Sequence, residues 1–394
     1  MIDEIDVGII GSGIFGVSTA FHIARDTNLN VALFEKHDEH KWLNAGSSGR
    51  SASVVRHNYS TDLMIKSAVK SHNIFKNFET EVGEPIDFIN NSYLGIVADK
   101  KLDALKNIVK RVQSFGINAV FLSPEELKEK HPWLNVDEVT GAIHNLDASY
   151  VYDPQEPLSI YSKQAKKFGA KFYYNTKVTG IKTSNNSVKS ILTDKGEIKV
   201  NYIINCTGPW ASEIGKMINV DIPVIAQRQQ LVDVLPDKKW GLSNPTFSDH
   251  EQQVYVRPMR GGIAHCGGHY FGSECNPDEY NQGVDDGFIS DVMKKISLRI
   301  PSLKGAKIVK GFSGLYENTS DTYPIVGEME ELNGFINCVG WSGHGYKHGP
   351  MFGILLKELI ETGKTSLDIN FLGLKRFETG KLIKTAYGVN APYG

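Results

Sequence analysis

Apolar and polar positions follow two rhythms along this chain, and their order is informative before any motif is considered. Val7-Gly8-Ile9-Ile10 is a short continuous apolar run ending in glycines, Ile14 to Ala24 has helical composition, and Val31 to Phe34 is a second apolar run closed by Glu35. Strand, glycine turn, helix and strand in that order form the opening unit of a parallel α/β sheet, whose strands are buried on both faces. Asp62 to Glu81 reads as one long helix with an apolar stripe at Leu63, Ile65, Val69, Ile74 and Phe78.

The middle of the chain changes character. Pro85 to Val97 is strand-like, Lys101 to Phe115 helical, and Ser123-Pro124-Glu125-Glu126 predicts a helix start with Ser123 as cap and Pro124 in the first position. Pro157 to Phe168 reads as a helix and Lys171 to Val178 as a strand. The segments 180–183, 188–193 and 197–200 read as a meander broken by Ser-Asn-Asn and Asp-Lys-Gly turns. A buried strand, Ile203 to Cys206, follows; Ile222 to about Phe312 is strand-rich with one helix near Asp285 to Arg299, and Pro350 to Glu361 is the closing helix. With no repeat, low-complexity tract or long linker, the pattern predicts two interwoven domains.

Within that pattern, Gly11-Ser12-Gly13-Ile14-Phe15-Gly16 matches G-x-G-x-x-G directly after a strand and before a helix. Such glycines permit the tight turn and bring backbone close to a pyrophosphate seated on the helix N-terminus. Glu35 lies 19 residues after Gly16, at the end of the next apolar run, where a carboxylate accepts from ribose hydroxyls and repels a 2′-phosphate, which disfavours NADP. A second glycine-rich stretch, Gly340-Trp341-Ser342-Gly343-His344-Gly345-Tyr346-Lys347-His348-Gly349-Pro350, opens the closing helix. A helix N-terminus plus Lys347 supplies positive potential suited to an anionic reduced flavin, which an NAD-binding fold does not need. The dinucleotide is therefore expected to be FAD.

Composition narrows the remaining classes. Across 394 residues, 43 Lys and Arg stand against 45 Asp and Glu, a net charge of −2 that carries no nucleic-acid or membrane-surface footprint. Cys206, Cys266, Cys275 and Cys338 form no C-x-x-C pair, so no metal or iron–sulfur ligand set and no disulfide framework is expected from this chain. The first residues lack a basic signal region, and Phe352 to Ile360, interrupted by Lys357 and Glu358, is too short to span a bilayer. A cytoplasmic protein without a membrane span is expected.

Several stretches together resemble the D-amino-acid oxidase superfamily of flavoenzymes, and within it the sarcosine oxidase (beta subunit), dimethylglycine dehydrogenase and glycine oxidase group. They are the glycine loop with Glu35, Gly46-Ser47-Ser48-Gly49-Arg50-Ser51-Ala52, Val54-Val55-Arg56-His57-Asn58-Tyr59, Asn205-Cys206-Thr207-Gly208-Pro209-Trp210, the segment from Gly314 to Asp321, and Trp341 to Lys347. The resemblance runs from about Asp6 to Ile360. It implies an α/β fold in which a Rossmann-like FAD domain with a parallel sheet (1–85, 147–219 and 325–394) is interleaved with a mixed-sheet α+β substrate domain (86–146 and 220–324).

It also implies oxidation of a small N-substituted amino acid of the sarcosine, dimethylglycine or proline type, by hydride transfer to flavin and hydrolysis of the imine. Alternatives are a primary amino acid (glycine or a D-amino acid), or a flavin-carrying subunit that relays electrons without its own substrate. Further subunits or a separate electron acceptor are compatible with either.

By the same resemblance, the cofactor-binding set is Gly11, Gly13, Ile14, Gly16, Glu35, Lys36, Ser48, Gly49, Arg50, Ser51, Val178, Thr207, Gly208, Trp210, Gly314, Gly343, His344, Gly345, Tyr346 and Lys347. Arg56 matches the arginine that grips the substrate carboxylate, and Lys347 is its second cation. Tyr255 is read as a substrate-pocket wall or hydrogen bonder, and His265 and His269 fall on the strand that faces the flavin in the family, His269 matching an active-site histidine. His265 stands where monomeric sarcosine oxidases carry an oxygen-activating lysine. A histidine is cationic only part of the time, which favours a dehydrogenase. Some relatives tether FAD through a cysteine at the position of Gly314, others through a histidine at that of Arg50, so non-covalent FAD is expected.

Overall fold

Three of the apolar runs, Ile5–Ile10, Val31–Phe34 and Gly196–Asn205, lie side by side and parallel in the computed structural model, which describes residues 5–238, 240–268 and 274–386. Leu332–Val339 and Lys171–Tyr173 extend the sheet on either side, also parallel, with Ile9 opposite both Ile204 and Leu33. Helices Ile14–Asp26, Gln155–Lys167 and Gly349–Thr362 pack together in the core over this sheet, and Val7 and Ile9 are fully buried. That double cover is why these strands carry no alternation. The hairpin Val178–Ser184 and Ser187–Thr193, with Ile325–Met329, completes the layer.

A second eight-stranded sheet is mixed. Its spatial order is Lys307–Asn318, Ile225–Leu235, Ala264–Gly268, Val254–Pro258, Thr246–Asp249, Tyr93–Val97, Gly141–Asn145 and Ala119–Leu122. All neighbours are antiparallel except Thr246–Asp249 with Tyr93–Val97. The helix Asp286–Arg299 covers one face, burying Val292 and Ile296 with Leu94, Val232 and Val256. A small sheet of Val54–Val55, Ser149–Val151 and Phe88–Asn90 lies beside it, joined through Tyr150 Oη to the Pro258 carbonyl at 2.8 Å. Strands of the first sheet fall within 1–85, 147–219 and 325–394, and those of the second within 86–146 and 220–324. The small sheet draws on both sets.

Two close approaches set the geometry beneath the cavity described below. A Cβ at Gly16 would stand 2.0 Å from the Gly11 carbonyl oxygen, so glycine alone lets the first helix start hard against the strand end. At Gly349, a Cβ would meet Ile14 at 2.3 Å, which seats the closing helix on the first.

Local structure departs from the periodicity in four places. The expected helix 62–81 is two, Asp62–Lys76 and Phe78–Val82, broken at Asn77 (φ −112°, ψ 32°) so that Phe75 and Phe78 both face the core. The expected strand 171–178 stops at Tyr173, because Asn175 takes φ +50° and turns the chain so that its N–H and that of Thr176 reach the carbonyls of His37 and Glu35. Segments 197–200 and 203–206 form one strand, Gly196–Asn205. The closing helix is followed by the short helix Lys375–Glu378, whose Arg376 is buried against Asp321, with Nε–Oδ2 at 2.8 Å and Nη2–Oδ1 at 3.1 Å. The capped helix start is as expected: Pro124–Lys130 carries a capping box between Ser123 and Glu126.

The Asp321–Arg376 pair fastens the end of the chain to the corner that follows the Lys307–Asn318 strand. Removing one partner strands a buried charge, so Arg376→Ala is expected to cost about 3–5 kcal/mol, read as a lower urea midpoint. A midpoint equal to wild type would show that the pair is dispensable.

Candidate functional site

The carboxyl ends of the parallel strands open into a long cavity that runs from Glu35 to the inner face of the second sheet. Its first wall is the glycine loop. The helix Ile14–Asp26 begins without a side-chain cap of its own, and the Ile14 N–H is taken by Ser48 Oγ of the facing loop at 3.1 Å. A Cβ at Gly46 would meet nothing within 4 Å, and one at Gly13 only Ser48 Oγ at 3.2 Å, so backbone and small side chains line the space. That surface fits a pyrophosphate, which needs close N–H donors and a positive helix end.

Glu35 sits on the cavity floor with both oxygens engaged. Oε2 accepts from Ser12 N–H (3.2 Å) and Oγ (2.5 Å), and Oε1 from His37 N–H (2.9 Å) and Nδ1 (2.8 Å). Burial works against the charge, but these bonds outweigh it and hold the carboxyl below its ordinary range. A ribose hydroxyl would share these oxygens with Ser12 and His37. At the rim, the Lys36 ammonium lies 3.9 Å over the Trp210 ring and pairs with Asp278, which also accepts from Trp210 Nε1 at 2.9 Å.

Gly11, Gly13, Ile14, Glu35, Lys36, Ser48, Gly49, Arg50, Ser51, Val178, Thr207, Gly208, Trp210, Gly314, Gly343, His344, Gly345, Tyr346 and Lys347 all line this cavity, as do Arg56 and Tyr255. Gly16 does not; it lies behind the loop against Gly11. Arg50 and Gly314, distant in sequence, face each other: a Cβ at Gly314 would be 3.2 Å from the Arg50 Cβ. The Arg50 guanidinium bonds to the carbonyls of Asn44 (2.8 Å) and Ser313 (2.7 Å) and to Gln282 Oε1 (2.6 Å).

At the far end the charge is one-sided. The Arg56 guanidinium lies 4.8 Å from the Tyr59 ring and the Lys347 ammonium 6.0 Å from the same ring. Arg56 Nη1 donates to the Asn58 carbonyl at 2.7 Å and Lys347 Nζ to that of His344 at 3.2 Å. Among the described residues neither is paired with a carboxylate. Burial, then the charge of Arg56, holds the Lys347 ammonium well below its ordinary value, and His348 is pushed down by burial and by Lys347, Arg56 and His57. His57 falls to about 3, chiefly through burial. The arrangement calls for an anion, and an arginine fork beside a lysine point charge suits a carboxylate.

His265 is outside the lining. It shares the inner face of the second sheet with Tyr255, but lies two residues along its strand from Gly267, the residue opposite Tyr255. Its Nδ1 is 2.5 Å from Asp233 Oδ1, and burial lowers its pKa against the pull of that carboxylate. His269 lies outside the described residues. Sequence reasoning missed Tyr93, Thr246, Ser248, Tyr316, Glu317 and Thr322, which the second sheet and its following corner bring to the cavity. Tyr316 and Glu317 lie in the Gly314–Asp321 stretch, whereas Tyr93, Thr246 and Ser248 are revealed by the strand order, Tyr93 and Thr246 being paired across 153 residues.

A profile of the family described as "FAD dependent oxidoreductase" matches residues 6–359. Dimethylglycine dehydrogenase, mitochondrial, from Mus musculus is 27% identical over 98% of this chain and 45% of its own length. Sarcosine dehydrogenase, mitochondrial, from Homo sapiens is 27% identical over 94% and 41%. The chain thus spans less than half the length of these relatives. Among solved structures, L-proline dehydrogenase from P. horikoshii superposes with a TM-score of 0.86 at 29% identity, covering 97% of this chain and 100% of that one. Glycine oxidase from Bacillus cereus, at 23% identity, TM-score 0.76 and coverage of 92% and 96%, shares the fold. Among the described residues no helix is long and apolar enough to cross a membrane, and no cluster of side chains could hold a metal.

The role of Glu35 can be tested on the apo-protein. Glu35→Ala is expected to weaken FAD binding by about 10-fold or more, the scale of a lost charged hydrogen bond, in a flavin-fluorescence titration. An unchanged affinity would remove Glu35 from the cofactor site.

Proposed function

We propose that this chain, which belongs to the FAD dependent oxidoreductase family, oxidises a small N-substituted amino acid of the sarcosine, dimethylglycine or proline type. The observation that carries this reading is the pair Arg56 and Lys347, two cations without a carboxylate partner among the described residues, at the end of a cavity fitted to FAD. FAD, when bound, accepts a hydride from the carbon next to the substrate nitrogen, and water then hydrolyses the imine. The chain's own part is to bind and orient. Arg56 and Lys347 fix the carboxylate, while Tyr93, Tyr255 and Tyr316 wall the space beside it.

Those walls suit a neutral, compact amine. The Tyr316 hydroxyl is pushed up to about 12 by burial and that of Tyr255 well above its ordinary value, so both stay protonated and polar without charge. The full-length match to L-proline dehydrogenase supports a secondary amino acid. FAD is proposed to be held without a covalent bond, since neither Gly314 nor Arg50 offers a nucleophile. Acid precipitation should therefore leave the flavin in the supernatant, and colour in the pellet would refute it. The cytoplasm is the proposed location, which fits four free cysteines; fractionation that finds the protein in an organelle would refute it.

Anaerobic mixing with proline, sarcosine and dimethylglycine should bleach the flavin absorbance with at least one of them, while glycine and D-alanine should not. Bleaching by glycine or D-alanine alone would overturn the substrate class, and bleaching by none would overturn amino-acid oxidation. In air, dye reduction should outpace peroxide formation, because His265 lies outside the cavity lining and is held by Asp233. Rapid peroxide formation would make the protein an oxidase.

Lys347→Met keeps the length of the side chain and removes its charge. It is expected to weaken binding of pyrrole-2-carboxylate by about 10-fold or more, followed by the perturbed flavin spectrum. Unchanged binding would leave Lys347 outside the carboxylate site.

A further inference from the structure

One buried carboxyl on the cavity wall is left unused by the reading above. Glu317, near the end of the Lys307–Asn318 strand and opposite Ala226, lines the cavity beside Gly208, Cys206 and Cys338. Its partners are backbone groups of the second glycine-rich segment. Oε2 accepts the Gly340 N–H at 2.8 Å, the Glu317 carbonyl accepts the Ser342 N–H at 3.0 Å, and the intervening Trp341 amide favours the charged form of the carboxyl. A single residue thus grips both ends of the run 340–342.

They belong to the most contorted turn of the cavity. Gly340, Ser342 and Gly343 all have positive φ, of 77°, 48° and 81°. A serine in that region persists only where its surroundings over-determine it. Ser342 Oγ accepts the Thr319 N–H at 3.2 Å, and the His344 N–H closes onto the Trp341 carbonyl at 2.8 Å. From this turn the chain runs straight into Gly345–His348, which carries Lys347.

We propose that Glu317 is a positioning residue for FAD, which by holding residues 340–342 aims the segment from Gly343 to Lys347 and its positive potential at the flavin. The choice of an acid has a consequence. The carboxyl faces backbone amides, Gly208 and the Cys338 thiol, with Ala226 opposite on the paired strand, and among the described residues none of these brings a positive charge. Burial therefore raises Glu317 to about 7, against the pull of the Gly340 and Trp341 amides. The native value lies above the unfolded one, so the stability it contributes is full at acid pH. That stability is lost as pH rises from the ordinary carboxyl range through about 7.

The experiment compares wild type with Glu317→Ala, Glu317→Gln and Glu317→Asp, measuring FAD affinity, the midpoint potential of the bound flavin and thermal stability. Glu317→Ala is expected to weaken FAD binding by about 10-fold or more. It should weaken the hold on reduced FAD by a further tenfold, a drop of about 30 mV for a two-electron couple. Glu317→Gln keeps an acceptor oxygen, so its potential should equal or exceed wild type, and its melting temperature should gain on wild type between pH 5 and pH 8.

Glu317→Asp, a methylene short of the amides, should behave as Glu317→Ala and stands in for it if that variant does not fold. An unmoved potential in Glu317→Ala and Glu317→Asp would reduce Glu317 to a packing role and overturn the proposal. So would a Glu317→Gln potential as low as theirs. None of these readouts involves an amine, so they stand or fall separately from the substrate.

Discussion

Two cations cannot be gathered beside one tyrosine, with no carboxylate to neutralise them, unless the surrounding chain is strong enough to hold them there. Arg56 and Lys347 repel each other, and that repulsion adds to burial, the larger cause, in lowering the pKa of Lys347 and of His348. Left to itself, such a site would relax by moving one side chain to water. It is prevented by where the two residues sit. Arg56 directly follows the Val54–Val55 strand of the small sheet, and Lys347 lies in the turn that opens the closing helix, which is locked on the first helix through Gly349. The strain belongs to the site and the restraint to the fold.

The same division explains why FAD and substrate ends are built differently. The cofactor end is made of backbone and short side chains, because a pyrophosphate must approach N–H groups closely. Two of its charged groups are held within the protein, Glu35 by Ser12 and His37, and Lys36 by Asp278. At the other end Arg56 and Lys347 bond only to carbonyls and, among the described residues, meet no carboxylate, and the walls include long aromatic side chains delivered by the second sheet. One sheet therefore supplies a surface shaped by what it lacks, the other a surface shaped by what it projects.

How much of this was legible in the sequence follows from that contrast. Local signals found the cofactor end: glycines spaced around a helix start, an acid at the close of the next strand, and a second glycine-rich helix entry were each readable within a dozen residues. Arg56 and Lys347 were found by resemblance, since neither stands in a pattern that physics alone marks as a site. Tyr93 and Ser248 were invisible because they arrive from strands whose neighbours are set by long-range pairing, whereas Glu317 lay in the Gly314–Asp321 stretch without a pattern to mark its role. Helix 62–81 was drawn too long for a related reason. The stripe fits a single helix, but burying both Phe75 and Phe78 required the break at Asn77.

His265 shows the limit of position-by-position transfer, and Arg50 shows what replaces a lost feature. The strand that carries His265 runs beside that of Tyr255 in the second sheet, yet Asp233 on the neighbouring strand, directly in register, draws the imidazole into a buried pair away from the cavity. Arg50 and Gly314, far apart in sequence, lie against each other at one place on the cavity wall. The guanidinium spans that place, binding the Ser313 carbonyl on one side and Asn44 on the other, and reaching Gln282 at the rim. Several charge-assisted hydrogen bonds thus stitch the glycine-loop side of the cavity to the second sheet. The junction between the two sheets is then carried by the protein itself, whether or not the cofactor is covalently attached.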